Sequence, residues 1–303
     1  MSHMSTTTDG VTRFEYSALK VPLEEIATAL VNRIDRGDRE RVAALHPGLP
    51  AVLRLLVRTS EAAWASIRHL AGPGEHGHPA RADLIVCMSP LARTVLDALF
   101  TVILLFDQPK ENVRWYYASG WREAKDYHQR LSQKHGADPR WTAWLQGYQT
   151  DYVDGWESDA EITEEEKVSP KKSLKWWPNP GGMVTKATFS DSKRKEFLAF
   201  LNDWFYKNLS GDSHLSLLGL ARRAGHLFDY GGSADEPPDV LFKYRGQVTL
   251  DALSLYIAFL SEIAGQLEFS LECKRLHECW AYLHAWDEAR ELYEIRYRSW
   301  LSA

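Results

Sequence analysis

The stretch Leu84-Ile-Val-Cys-Met-Ser-Pro-Leu-Ala-Arg93-Thr-Val-Leu-Asp97-Ala-Leu-Phe-Thr-Val-Ile-Leu-Leu-Phe106 decides the fold. Its apolar residues fall on every face of a helix, so a helix over about 81–106, bent at Pro90, has to be wrapped by other helices. A cation and an anion, Arg93 and Asp97, interrupt it four residues apart and therefore share a face. Both charges lie mid-span and no companion span is expected elsewhere in the chain, so a membrane-crossing reading fails.

Helical spacing continues on both sides of this segment, and no alternating β-branched run or Asn-Gly hairpin turn occurs. The expectation is an all-α protein, one large bundle-like domain over residues 14–303. Residues 1–13, opening with Met-Ser-His-Met, read as a tag remnant and a frayed tail. Pro22 opens a helix to about Arg36, and Pro50 opens one whose inward face is Leu53, Leu56, Trp64, Ile67 and Leu70. Pro109 starts a long aromatic helix to about His135, and Asp138-Pro139 starts the next. A helix capped by Asp191 or Ser192 should turn Phe197, Phe200, Leu201, Trp204 and Phe205 inward; a break at Leu209-Ser210-Gly211 precedes another helix over 212–228. The chain from Thr249 reads as two helices divided near Ser270, because one unbroken helix of that length would overrun the domain.

The net charge is −5, from 36 basic and 41 acidic residues, so no overall field draws the protein to nucleic acid or to an anionic membrane. Three cysteines without a Cys-x-x-Cys spacing point to a reducing, cytoplasmic setting. The 12 Trp, 13 Tyr and 11 Phe suit either thick helix packing or an aromatic-lined pocket. Eight carboxylates over 151–166 are followed by Lys167, Lys171, Lys172 and Lys175, which read as a solvated helix end and a basic loop. Lys175-Trp-Trp-Pro-Asn-Pro-Gly-Gly-Met183 is expected to be non-helical, and its large apolar residues mark it as functional or folded over something.

Two segments could carry chemistry. A buried ion pair stabilises less than apolar replacements would, so Arg93 and Asp97 are either a tie between helices or an anion-binding Arg oriented by its carboxylate. In Tyr206-Lys-Asn-Leu-Ser210-Gly-Asp-Ser-His214, the histidine falls on the inward face over Leu218 and Ala221. It is either a core histidine satisfied by Ser210 or a general acid-base group, with Ser210 as a weaker candidate nucleophile. His277, His284, Glu288 and Glu291 share a face of the last helix, but paired Glu-x-x-His motifs are missing and a solvated stripe is the expectation. No phosphate-cradling loop, dinucleotide fingerprint or zinc-cysteine spacing occurs, and no metal or cofactor is expected.

The Arg-x-x-x-acid pair (Arg93, Asp97) with Tyr-x-x-Leu-Ser-x-x-x-His (Tyr206, Leu209, Ser210, His214) resembles a family of prokaryotic helical proteins of unknown function, over about residues 81–230. Trp177-Pro178 falls where that family has a tryptophan loop. Its acid is commonly Glu, so Asp97 is a departure with a shorter reach. The helical style is similar to the HEPN superfamily, whose ribonucleases place Arg and His on one helix. Arg39 or Arg41 with His46, Arg122 with His128 and Arg130 with His135 have the spacing, at about the frequency chance gives. No activity comes with the family name, and the HEPN likeness is an analogy of fold; the leading expectation is an enzyme or ligand-binding protein acting on a phosphate-bearing substrate, RNA or a nucleotide, in a prokaryotic stress or defence system. Arg93 would hold the anion, Asp97 orient it and His214 move the proton, with Trp177, Tyr206 and Tyr117 as binding walls. The rival expectation is a non-catalytic interaction protein, self-associating or bound to a partner protein, in which Arg93, Asp97, Ser210 and His214 form a buried network.

Overall fold

A computed structural model describes residues 16–71, 87–186, 189–213 and 239–301. Among them every regular element is helical and no strand occurs, so the fold is all-α. In chain order the helices are α1 (Lys20–Asn32), α2 (Arg39–Leu45), α3 (Leu49–Ala71), α4 (Met88–Leu105), α5 (Pro109–His135), α6 (Pro139–Tyr148), α7 (Gly155–Asp159), α8 (Glu164–Val168) and α9 (Pro170–Ser173). They continue as α10 (Pro180–Lys186), α11 (Ser192–Leu201), α12 (Lys207–Ser213), α13 (Asp239–Gln266), α14 (Ser270–Leu283), α15 (Asp287–Leu292) and α16 (Arg298–Leu301).

Residues 88–105 of the quoted stretch form α4, the axis of the main core; the expected start of this helix, 81–86, lies outside the described residues. This axis packs against α3, α12 and α13. Leu96, Leu99, Phe100, Val102 and Ile103 are fully buried there. Each such side chain contributes about 1.5–3 kcal/mol relative to leaving it in water, which explains why so apolar a helix is wrapped on most sides, with a strip at Pro90, Arg93, Thr94 and Asp97 reaching solvent. α13 is the second helix of this kind. Met88–Leu105 and Tyr244–Gln266 are both long and apolar enough to cross a membrane, with 72% and 89% of those windows buried inside the fold. The sequence reading expected no companion to the first; Arg245 and Asp251 had masked the second, although its apolar run begins just past them.

Where helix ends were predicted from proline and caps, the structure agrees. Asp138 and Asp191 accept hydrogen bonds from the backbone N–H of Arg140 and Lys193 and so start α6 and α11. Three expectations change. The tryptophan loop ends at Pro180, so Gly181, Gly182 and Met183 are helical, because proline is well suited to a first helical turn. Ser210-Gly211 does not break the chain, which runs as helix from Ser192 through Ser213 by way of a π-helical turn at Asn202–Tyr206. That wide turn shifts the register, and Trp204, expected inward, is half exposed while Phe205 is buried. The C-terminal segment starts earlier, at Asp239, and breaks a second time after Leu283.

A smaller apolar cluster lies beside the main one, built from Ala118, Trp121 and Ala124 of α5 with Val153, Ala160, Ile162 and Leu174. Buried polar groups also tie the helix ends together. Asp107, whose side chain is fully buried, accepts from the Ser190 backbone N–H (3.0 Å), the Ser190 hydroxyl (2.7 Å) and Arg194 Nη1 (3.0 Å). Arg194 reaches Gln266, Gln266 donates to Glu262, and Glu262 accepts two bonds from Arg296 at 2.9 and 2.7 Å. Gly265 admits this packing, since a β-carbon there would lie 2.6 Å from the Trp300 ring.

Two stability predictions follow from these groups. Glu262→Ala leaves the Arg296 guanidinium buried and unpaired, and the urea midpoint should fall by the equivalent of about 3–5 kcal/mol. Burial pushes the Asp251 carboxyl from 3.8 up to about 7, helped by Glu288 and opposed by a hydrogen bond from Gln247. The folded protein therefore holds a proton there that the unfolded chain releases, and stability declines as pH rises from about 4 to about 7. Asp251→Asn should flatten that part of the melting-temperature profile and raise the melting temperature at pH 8.

Candidate functional site

Arg93 and Asp97 project from one face of α4 toward the helical segment that carries Tyr206. Arg93 Nε donates to both Asp97 oxygens, at 3.2 and 3.3 Å, and its guanidinium carbon lies 3.9 Å from the centre of the Tyr206 ring. The Tyr206 ring in turn meets Phe100 edge-on at 6.3 Å. The Arg93 side chain is mostly buried at 16% exposure, whereas that of Asp97 is 46% exposed, so the cluster opens to solvent on its acidic side. Among the described residues Nη1 and Nη2 of Arg93 make no hydrogen bond. Shelter by neighbouring atoms raises the Asp97 carboxyl above its usual range more strongly than Arg93 lowers it. The half-buried pair, being an i,i+4 pair on one helix with its carboxylate in contact with solvent, contributes little to stability by itself.

Ser210 lies one turn past Tyr206 on α12, which packs along α4, and is half buried. His214 lies outside the described residues. The structure thus brings Arg93, Asp97 and Tyr206 together and lays the helix carrying Ser210 against them. Tyr117 and Trp177 sit elsewhere, on or beside α5. The Tyr117 hydroxyl donates to the Gly48 carbonyl at 3.1 Å, and its ring lies so close that a β-carbon on Gly48 would meet it at 2.6 Å. Burial pushes the Tyr117 phenol up to about 12, which keeps it a neutral donor. Trp177 is wedged edge-on between Trp115 (5.1 Å) and Tyr116 (5.0 Å). Among the described residues no hydrogen bond or ring contact joins either one to Arg93.

What the sequence reading missed is how the tryptophan loop is held. The segment from Glu161 to Trp177 crosses α5 as a strap, and α5 laces it down mainly through backbone groups. Arg114 forks onto Glu166 (2.9 Å to each oxygen) and reaches the Glu161 carbonyl. Trp115 Nε1 donates to the Lys175 carbonyl (3.1 Å), and Ser119 Oγ accepts from the Trp177 N–H (2.7 Å). Arg122 donates to the Leu174 carbonyl (2.5 Å) and Lys125 to the Lys167 carbonyl (2.8 Å). Residues 115, 119, 122 and 125 recur at three-and-four spacing, so the signal was present as a polar stripe on an otherwise aromatic helix. An open pocket of about 300 Å³ lies between α5 and the strap, with Arg114, Trp115, Glu166 and Lys175 in its wall.

The Arg-His spacings do not form pairs. Arg122 is drawn into the strap while His128 stacks on Tyr148, consistent with positions roughly 240° apart around the helix at about 100° per residue. His135 stacks on Trp141 at 4.2 Å. His46 accepts from the Gly48 N–H while Arg41 donates to the Leu267 carbonyl. On the last helices His277 bonds the Tyr293 hydroxyl, and among the described residues no group of three ligating side chains could hold a metal ion.

Ser119→Ala separates scaffold from site here: it strips the Trp177 N–H of its acceptor, which should lower stability by about 1 kcal/mol in urea unfolding while leaving intact the Arg93 cluster, to which neither residue is bonded among the described residues. No family model, curated protein or solved structure matches the chain.

Proposed function

We propose that the protein binds a phosphate-bearing ligand, a nucleotide or RNA, at the Arg93–Asp97–Tyr206 cluster. One observation carries this reading. Arg93 is anchored by its Nε to Asp97 and by its flat face to Tyr206, and among the described residues its two Nη groups, the part of the guanidinium that forks onto a phosphate, make no hydrogen bond. Pre-organisation of this kind lowers the entropy lost on binding, and a stacked Tyr gives a ligand base or sugar an aromatic neighbour. The half-exposed Asp97 orients the Arg through the two contacts to its Nε. Turnover requires a proton carrier, the role expected of His214, and Ser210 lies on the helix leading to it; the chemistry would be metal-independent transesterification. The prokaryotic stress or defence setting rests on the resemblance alone.

A second reading has its own observation. The Arg93 stack on Tyr206 joins α4 to the helical segment ending at Ser213, which is what a purely structural clamp in an interaction protein would do.

Titration calorimetry with mononucleotides decides between them. For the binding site, Arg93→Ala should weaken nucleotide affinity about 10- to 100-fold, the loss of a charge-assisted hydrogen-bond pair, and Arg93→Lys should restore only part of it. For the clamp, no mononucleotide binds the wild type and Arg93→Ala only lowers the melting temperature. Loss of RNA cleavage in His214→Ala with binding retained would extend the first reading to catalysis.

A further inference from the structure

The strap presents a tryptophan in an arrangement that packing alone does not explain. Trp176 is 47% exposed, yet it is not loose: the Arg122 guanidinium carbon lies 4.1 Å from the centre of its ring, so the indole is backed by a cation. Arg122 is itself nine-tenths buried, at 8% exposure. Its one hydrogen bond goes to the neutral Leu174 carbonyl, its Nε is buried without a partner, and among the described residues no carboxylate pairs with it. A buried cation without a counter-ion is costly, and its unbalanced charge extends to the surface above it. The same strap carries three further cations. Lys171, Lys172 and Lys175 are exposed and form no ion pair among the described residues. Of the nearby acids Glu157 and Glu164 pair with Lys167 and Glu166 with Arg114, while Asp159, Glu161 and Glu165 form no ion pair among the described residues.

We propose that this face of the strap is a docking surface for single-stranded nucleic acid. Trp176 offers a face on which a base stacks, and Lys171, Lys172 and Lys175 neutralise the adjoining phosphates. The shape of the surface favours this occupant over the two other polyanions. A bilayer is entered by side chains that project into it, whereas Trp176 is held by its face against the guanidinium beneath. A duplex keeps its bases stacked internally and has none to place on the ring. Arg122 polarises the indole from below and fixes its orientation, so little side-chain entropy is lost when a base arrives. Among the described residues no hydrogen bond or ring contact joins Trp176 or Arg122 to the Arg93 cluster, and the proposal does not rest on the reading of that cluster.

The test is fluorescence anisotropy of a labelled mixed-sequence 15-mer, as RNA and as DNA, titrated with the full chain at several salt concentrations. The wild type should bind the single strand more tightly than the same sequence as a duplex. Trp176→Ala should weaken binding about tenfold, the loss of one stacked base, while Trp176→Phe should retain most of it. The triple change Lys171→Ala/Lys172→Ala/Lys175→Ala, confined to exposed side chains, should reduce the slope of log affinity against log salt by about 2. Trp176→Ala and the triple lysine variant should keep the mononucleotide affinity of the wild type in calorimetry, which separates failure here from failure of the Arg93 site. Equal affinity of Trp176→Ala and wild type at unchanged melting temperature would overturn the proposal. So would an unaltered salt slope in the triple variant, tighter binding of duplex, or binding to phosphatidylserine-containing vesicles with none to the single strand.

Discussion

The constraint on which the rest of the structure depends is that α4 has no face suited to water. A helix whose Leu, Val, Ile and Phe residues point in every direction can be stable only inside a sheath, and α3, α12 and α13 supply it. That need sets the positions of helices more than a hundred residues apart in the chain. It also explains why the polar exceptions are placed as they are. Arg93 and Asp97 lie where α4 emerges beside Tyr206, and the Asp97 carboxylate keeps contact with solvent, so the cost of a sealed ion pair is avoided.

Around that axis the chain uses two different kinds of polar tie. In the core the tie is charged: Asp107, Arg194, Gln266, Glu262 and Arg296 form a run of side chains that fixes the ends of four helical segments relative to one another. Along α5 the tie is mostly between side chains and backbone. Arg122, Lys125, Trp115 and Ser119 bond the carbonyls and an N–H of a segment with little regular structure, meeting the backbone polarity that such a segment would otherwise leave exposed or unsatisfied. The consequence is that a loop rich in lysine and tryptophan is held in a defined shape. Its two tryptophans then have opposite fates, Trp177 wedged inward and Trp176 displayed outward on a cation.

The aromatic excess divides along the same line. Trp64, Trp121 and Trp280 are among the largest fully buried side chains, and their role is packing. From Trp141 through Trp144, Tyr148 and Tyr152 to Trp156, successive rings stack or meet edge-on at separations of 4.8–5.8 Å along one helical stripe. Regular three-and-four spacing in the sequence is enough to create such a ladder once the segment is helical.

Helical class, the central place of the 84–106 stretch and the proline- and Asp-marked helix starts were all legible in the sequence, because periodicity and capping are local properties of neighbouring residues. So was the Arg93–Asp97 pair, since residues four apart on a helix necessarily meet. The stack of Arg93 on Tyr206, the fixing of Tyr117 under Gly48 and the cation beneath Trp176 were not legible, because each joins residues far apart in the chain whose meeting depends on how helices dock. The π-helical turn at Asn202–Tyr206 shows the same limit at short range: one extra residue in a turn exposed Trp204 and carried the helix on through Ser210-Gly211. The sequence by itself therefore determined which segments are helical and which helix must be innermost. Only the tertiary structure decided which charged and aromatic side chains face one another, because that depends on the packing of whole helix surfaces and not on the spacing within any one of them.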